Sequence, residues 1–345
     1  MVINMRGKQR VIICIGMIIL LSGCGVEGKN ETTVEEVKLE WESIQLQETM
    51  QKEETKRYIP VTYNTYDTLQ VATYLTKVDD TYFLADCYHN QILYHDNLSD
   101  ELTKWKVLTS DVHYAHTIAS DGTVIITDDT ENNRVLVFLK TAEGYIHLQT
   151  IDGIGMKPHF VQYVEEQDVF LAWSSITGEM YYLKRDKESN LLEIEKIQKL
   201  EELFGVYVRS FSVIDGAIYL VSGHNNEKII KADFNTLEHI ESYDVMPEIA
   251  GMVQLVKIQD YYYITISTDN MENQDAATII RVKDLQQLAT GEYEDVYEMF
   301  GIGKGTPYYI TQIDGRYYMT HHRTAENVIA FDVIENEICN AEMIY

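Results

Sequence analysis

His116, His159, Arg209 and Tyr308 stand far apart in the chain, yet they occupy near-equivalent places in one recurring pattern. Imidazoles brought together from successive units could hold a divalent metal through neutral nitrogens. An arginine beside them suits a carboxylate, and a tyrosine hydroxyl can act as acid or base. The same residue types also serve without any reaction, because histidine hydrogen-bonds well to neighbours and to trapped water in a polar channel. Trp173 and His321 fall on the same side of the pattern and complete the candidate set. No nucleophile elbow, His-Glu-x-x-His pair or Cys-x-x-Cys accompanies them. The expectation is a ligand-binding face with no cofactor. The alternative is a metal-dependent lyase or hydrolase with a histidine-lined site.

The pattern that aligns these residues is a two-strand phrase met six times. Its first runs are TYFLAD, TVIITD, DVFLAW, AIYLVS, YYYITI and RYYMTH, and its partner runs begin at Ile92, Val135, Met180, Ile229, Ile279 and Val328. The partners recur every 43 to 50 residues, the period of a propeller with one four-stranded blade per repeat. Asp121-Gly122, Asp215-Gly216 and Asp314-Gly315 sit between apolar runs as hairpin turns. Preceding strands such as 71–76 and following ones such as 145–150 complete each unit. The expected fold is all-β, a six-bladed propeller over residues 58–345 that closes by packing blade 6 on blade 1. An extra edge strand over 57–63 is a further expectation.

A blade's first strand runs from one face to the other and its second returns. Starts of first strands therefore share a face, around the central channel, with the loops between second and third strands. That face collects His89, His113, His116, His159, His224, His321 and His322, with Trp173, Arg209, Tyr308, Tyr309 and Arg323. The loop histidines His89, His224 and His322 are read as solvated. The opposite face collects Asp79, Asp80, Asp121, Glu165, Glu166, Asp186, Glu188 and Asp314. The loop over 268–277 is longer than its counterparts, a lid or a tolerated insertion on the histidine face. Tyrosine outnumbers phenylalanine, 25 to 9, which suits half-buried sheet positions or a peptide- or glycan-binding surface.

The stretch from His116 to Phe138 resembles an NHL repeat, and the links 153–158 and 301–307 are similar to that family's glycine-then-proline connection. The resemblance implies a six-bladed propeller of extracytoplasmic or scaffold type, and no particular function. The spacing of inner-strand histidines also looks like that of peptide-amidating lyase propellers. That likeness implies a histidine-held metal.

Arg6, Lys8 and Arg10 precede an uncharged apolar stretch from Val11 to Leu21, too short for a bilayer-spanning helix of ~20 residues and built like a secretory signal. Its end, Leu21-Ser22-Gly23-Cys24, resembles the lipobox of bacterial lipoproteins. The resemblance implies removal of residues 1–23, lipid on Cys24 and attachment to a membrane on its extracytoplasmic side. Residues 24–57 read as an acidic tether, flexible or partly helical, with Val34, Val37, Trp41 and Ile44 at a/d spacing. The whole chain carries −27, and loss of the three leader cations leaves −30. Such a body disfavours nucleic acid. The partners expected are the lipid membrane at the N-terminus and a peptide, glycan or envelope protein at the histidine face. Cys87 and Cys339 are read as two separate thiols, and Asp128, Asp129, Glu131 and Asn132 as turn chemistry rather than a calcium loop.

Overall fold

A computed structural model describes residues 52–345 except 224, 225, 302, 304, 325 and 326. Six antiparallel sheets follow one another along the chain, and their strands are hydrogen-bonded in sequence order. They span 72–109, 118–152, 158–199, 208–244, 251–295 and 306–343, and are called blades 1 to 6 below. The expected six-bladed propeller is the observed one. Among the described residues the only helices are short 3-10 turns.

The period of burial within each blade follows from its packing. The second strands Val124–Asp129, Val169–Ser174 and Ala217–Ser222 are buried at every position, because neighbouring blades cover both faces. Their cores, Val124–Ile126, Val169–Trp173 and Ala217–Val221, accordingly read as continuous apolar runs rather than alternations. The outer strand Leu192–Lys199 alternates instead, with one face in water. Between blades 3 and 4, Leu171, Trp173, Met180 and Tyr182 pack against Phe211, Ile218 and Leu220. Each side chain so buried contributes roughly 1.5–3 kcal/mol. In the turns, Asp215 and Gly216 both have positive φ, as do Asp314 and Gly315, which two-residue hairpins of matching twist require.

Closure is by blade 6 on blade 1, as expected, with no strand exchanged between them. Thr320 Oγ1 donates to the Thr73 carbonyl at 2.7 Å, and Thr311 Oγ1 to that of Leu75 at 2.8 Å. Trp105 Nε1 donates at 2.9 Å to the hydroxyl of Tyr345, which reaches the Leu98 and Asp100 carbonyls.

The extra edge strand exists, but in another place. Lys52–Tyr58 pairs antiparallel with the outer strand of blade 2, Lys52 opposite Ile151 and Tyr58 opposite Ile146. Tyr63 then bridges to Lys106 on the outer strand of blade 1. The chain entering the domain is thus bonded across the outer edges of two blades, and the first of these pairings begins inside the segment read as tether. The leader, Cys24 and residues 24–51 lie outside the described residues.

Candidate functional site

Inner strands of five blades, 1, 3, 4, 5 and 6, begin with a slip in pairing, and three of these slips carry candidate residues. Pairing slips between Pro158 and Phe160 in blade 3, between Val208 and Ser210 in blade 4, and between Pro307 and Ile310 in blade 6. A bulge leaves residues out of the ladder and re-aims their side chains. His159, Arg209 and Tyr308 are those residues, and His116 enters just ahead of the inner strand Ile118–Ser120. The structure brings these four to one mouth. The His116 and His159 rings lie 3.7 Å apart and tilted by 38°, and Tyr308 stands 6.4 Å from His116. Arg209 packs beside the Tyr207 ring and its Nη1 donates to Ser267 Oγ at 2.5 Å.

The mouth is nearly closed. His116 and Arg209 are 9% exposed, Tyr308 8% and His159 0%. Burial, with His116 alongside, holds the His159 imidazole well below its ordinary pKa, and burial pushes Tyr308 and Tyr309 up. His159 Nε2 is 2.5 Å from the Tyr207 hydroxyl, while its Nδ1 has no hydrogen-bond partner among the described residues. Beneath the mouth the axis is not a water-lined channel. Phe160 of blade 3 meets Tyr309 of blade 6 at 5.1 Å and Phe211 of blade 4 at 5.2 Å, and Tyr74 of blade 1 closes on both Phe160 and Tyr309. Rings from four blades touching one another fill the centre.

Two candidates fall elsewhere. Trp173 is fully buried between blades 3 and 4; a position expected on the rim is a core position, and its indole finds no hydrogen-bond acceptor among the described residues. His321 points away from the pair, with Nε2 2.8 Å from the Tyr297 hydroxyl. A Cβ at Gly305 would stand 2.3 Å from His321 Cε1, so the link into blade 6 passes over the ring only as glycine. The neighbour His322, read as solvated, faces the mouth instead. Its ring lies 5.4 Å from Tyr308, its Nδ1 has no partner among the described residues, and desolvation beside Arg323 and His321 pushes its pKa down to about 3. His89 is not solvated either, being stacked on Tyr66 at 3.6 Å and bonded to Asp86 at 2.7 Å. His224 lies outside the described residues.

The residues present do not fit a metal. Two imidazoles meet ring on ring rather than nitrogen toward nitrogen, and no three His, Cys, Asp or Glu groups converge among the described residues. Asp128 and Asp129 end the second strand of blade 2 and bind the segment leading into its first strand rather than only their own turn. Asp128 accepts from the His116 and Thr117 amides, and Asp129 from the His113 amide and Arg134 Nε, while the bond from Asn132 Nδ2 to Asp129 is the turn chemistry expected. Cys87 and Cys339 are separate thiols.

A recess missed by the sequence opens off the axis on the same face. Blade 5 has an outer strand of only two residues, Glu294–Asp295. A groove of about 770 Å³ opens between this blade and blade 6, walled by Glu248, Asp275, Asp295, Glu298, Tyr293, Tyr297 and Arg323. The long loop over 268–277 forms one wall and is fastened, since the Asn270 amide donates to the Pro247 carbonyl and Arg323 Nη2 to that of Gln274. Four carboxylates against one guanidinium make the groove acidic.

No protein-family model matches the chain, and no curated protein does. Solved structures resemble it at the level of shape. A candidate 6-phosphogluconolactonase from Bacteroides fragilis has 12% identity and a TM-score of 0.56, over 79% of this chain and 84% of its own. A second such candidate, from Bacteroides uniformis, gives 12% and 0.54 over 76% and 82%. Kuenenia stuttgartiensis hydrazine synthase gives 14% and 0.53 over 80% of each chain. At these identities the likeness is one of fold.

Proposed function

We propose that the chain is an NHL-like binding propeller, held by lipid on Cys24 to the outer side of a bacterial membrane, that takes a basic peptide segment on its histidine face. The observation that carries this reading is the acidic groove between blades 5 and 6. Its carboxylates suit lysine and arginine, and the Tyr293 and Tyr297 rings suit the same cations through their faces. The axial mouth, closed by aromatic rings, leaves the groove as the place where a segment of chain can lie. A body at −30 also steers cationic ligands toward it.

Titration of the full-length chain in detergent with a lysine-rich hexapeptide tests this. Saturable binding that weakens with salt and in Glu298→Gln is expected. Equal affinity for a glutamate-rich hexapeptide would overturn it. The lactonase names among the fold neighbours favour a hydrolase only as far as fold does. Stoichiometric zinc retained by the chain and lost in His116→Ala would move the assignment to the metal-dependent lyase or hydrolase.

A further inference from the structure

Cys87 lies at the axial mouth, opening the 3-10 turn Cys87–His89 of blade 1, and its neighbours there suit chemistry that binding in the groove does not use. Its Sγ is 3.9 Å from His116 Nε2. On the other side of that ring, Nδ1 is 2.9 Å from Thr130 Oγ1 and 3.6 Å from Asp128 Oδ2. Thr130 fixes the tautomer. Its hydroxyl has one proton and lies 2.8 Å from the Pro158 carbonyl and 3.1 Å from Asp128 Oδ2, both acceptors. The assignment that leaves no acceptor facing an acceptor has Nδ1–H donating to Thr130. The lone pair on Nε2 then faces the thiol. A thiol, an imidazole base and a group orienting that base are the parts of an activated nucleophile.

A second observation says what could reach it. Nδ1 of the buried His159, whose ring packs against His116, and Nδ1 of the half-buried His322, whose ring packs against Tyr308, are themselves shielded from solvent and have no hydrogen-bond partner among the described residues. A buried polar atom left so costs ~1–3 kcal/mol, which a small molecule able to donate and accept would relieve. Cys87 is only 1% exposed, so the molecule must be near the size of water and uncharged.

We propose that Cys87 is a reactive thiol with His116 as its base, and that the mouth takes a hydroperoxide. The thiol proton passes to His116 Nε2, sulfur attacks one peroxide oxygen, and the O–O bond breaks. The imidazolium proton goes to the departing oxygen. Hydrogen peroxide yields Cys87 sulfenic acid and one water, sulfur being oxidised and peroxide reduced by two electrons. Cys339, itself half-buried on the outer strand of blade 6, has no imidazole bonded to it among the described residues and serves as the internal reference.

The experiment exposes the full-length chain in detergent to hydrogen peroxide, traps sulfenic acid with dimedone and reads each cysteine peptide by mass spectrometry. Cys87 is expected to label at least ten-fold faster than Cys339, although it is the less exposed. His116→Asn keeps a donor toward Thr130 but has nothing at the Nε2 position, and is expected to lower the Cys87 rate at least ten-fold. A wild-type ratio below ten overturns the proposal, whatever the variant does. An unchanged Cys87 rate in a folded His116→Asn protein overturns it as well.

Discussion

Acidification acts on His322 in a direction that the structure fixes. Its imidazole is half-buried, its Nδ1 is shielded from solvent and unpartnered among the described residues, and desolvation beside Arg323 and His321 lowers its pKa from an ordinary 6.5 to about 3. Between those values only the unfolded chain binds the proton, so stability rises with pH there and is lost as pH falls below 6.5. Each unit is worth 1.36 kcal/mol; at pH 5 His322 alone costs the fold about 2 kcal/mol. The buried His159 acts in the same direction. For a domain of this size ~1 kcal/mol moves the melting temperature by roughly 2 °C, which makes the His322 share about 4 °C. Acidification also relieves repulsion in a chain this acidic, so the assay is a double difference. Thermal unfolding by circular dichroism is followed at pH 7 and pH 5 for the wild type and for His322→Asn. The variant is expected to lose less on going to pH 5, by about 4 °C. Equal losses would refute the reasoning, because His322 would then gain its proton as easily in the fold as outside it.

The ring's closure offers a second test: Tyr345→Phe removes the acceptor of Trp105 Nε1 and is expected to cost ~1–3 kcal/mol, read as a lower urea midpoint. Trp173→Ala is expected to cost ~3–5 kcal/mol as a core truncation, while the folded fraction binds the lysine-rich peptide as the wild type does. Loss of binding without loss of stability would return Trp173 to the rim. Gly155 has φ +53° and a Cβ there would meet Ser174 Oγ at 2.0 Å; Gly155→Ala is accordingly expected to lower the yield of folded protein, measured by gel filtration.

Much of the fold was legible because it rests on local rules. Asp215-Gly216 and Asp314-Gly315 mark their hairpins by chemistry, and the buried second strands mark themselves as unbroken apolar runs. The placement of His159, Arg209 and Tyr308 at one mouth was legible too, since equivalent positions in a ring must converge. What the sequence could not reveal is parity. A one-residue shift along a strand exchanges its faces, and His321 and His322 are adjacent and both regularly paired, with Pro307 and Thr306. It is His322 that takes the place at the mouth expected for His321. Trp173 was misplaced for a related reason, because strands buried on both sides have no outward face for a side chain to choose. The groove was illegible because it comes from something missing, the outer strand of blade 5 reduced to Glu294–Asp295, with nothing in the residues to announce it. The aromatic plug needs Phe160 and Tyr309 to meet across the ring, a contact between residues far apart in sequence.

Amide hydrogen exchange of the full-length chain, with and without the lysine-rich hexapeptide, tests most directly whether ligands lie on the histidine face beside a closed axis. Slower exchange over 274–278 and 293–298, with the turns at 121–122 and 186–190 unchanged, is the result the account requires. Protection confined to those opposite turns would contradict it.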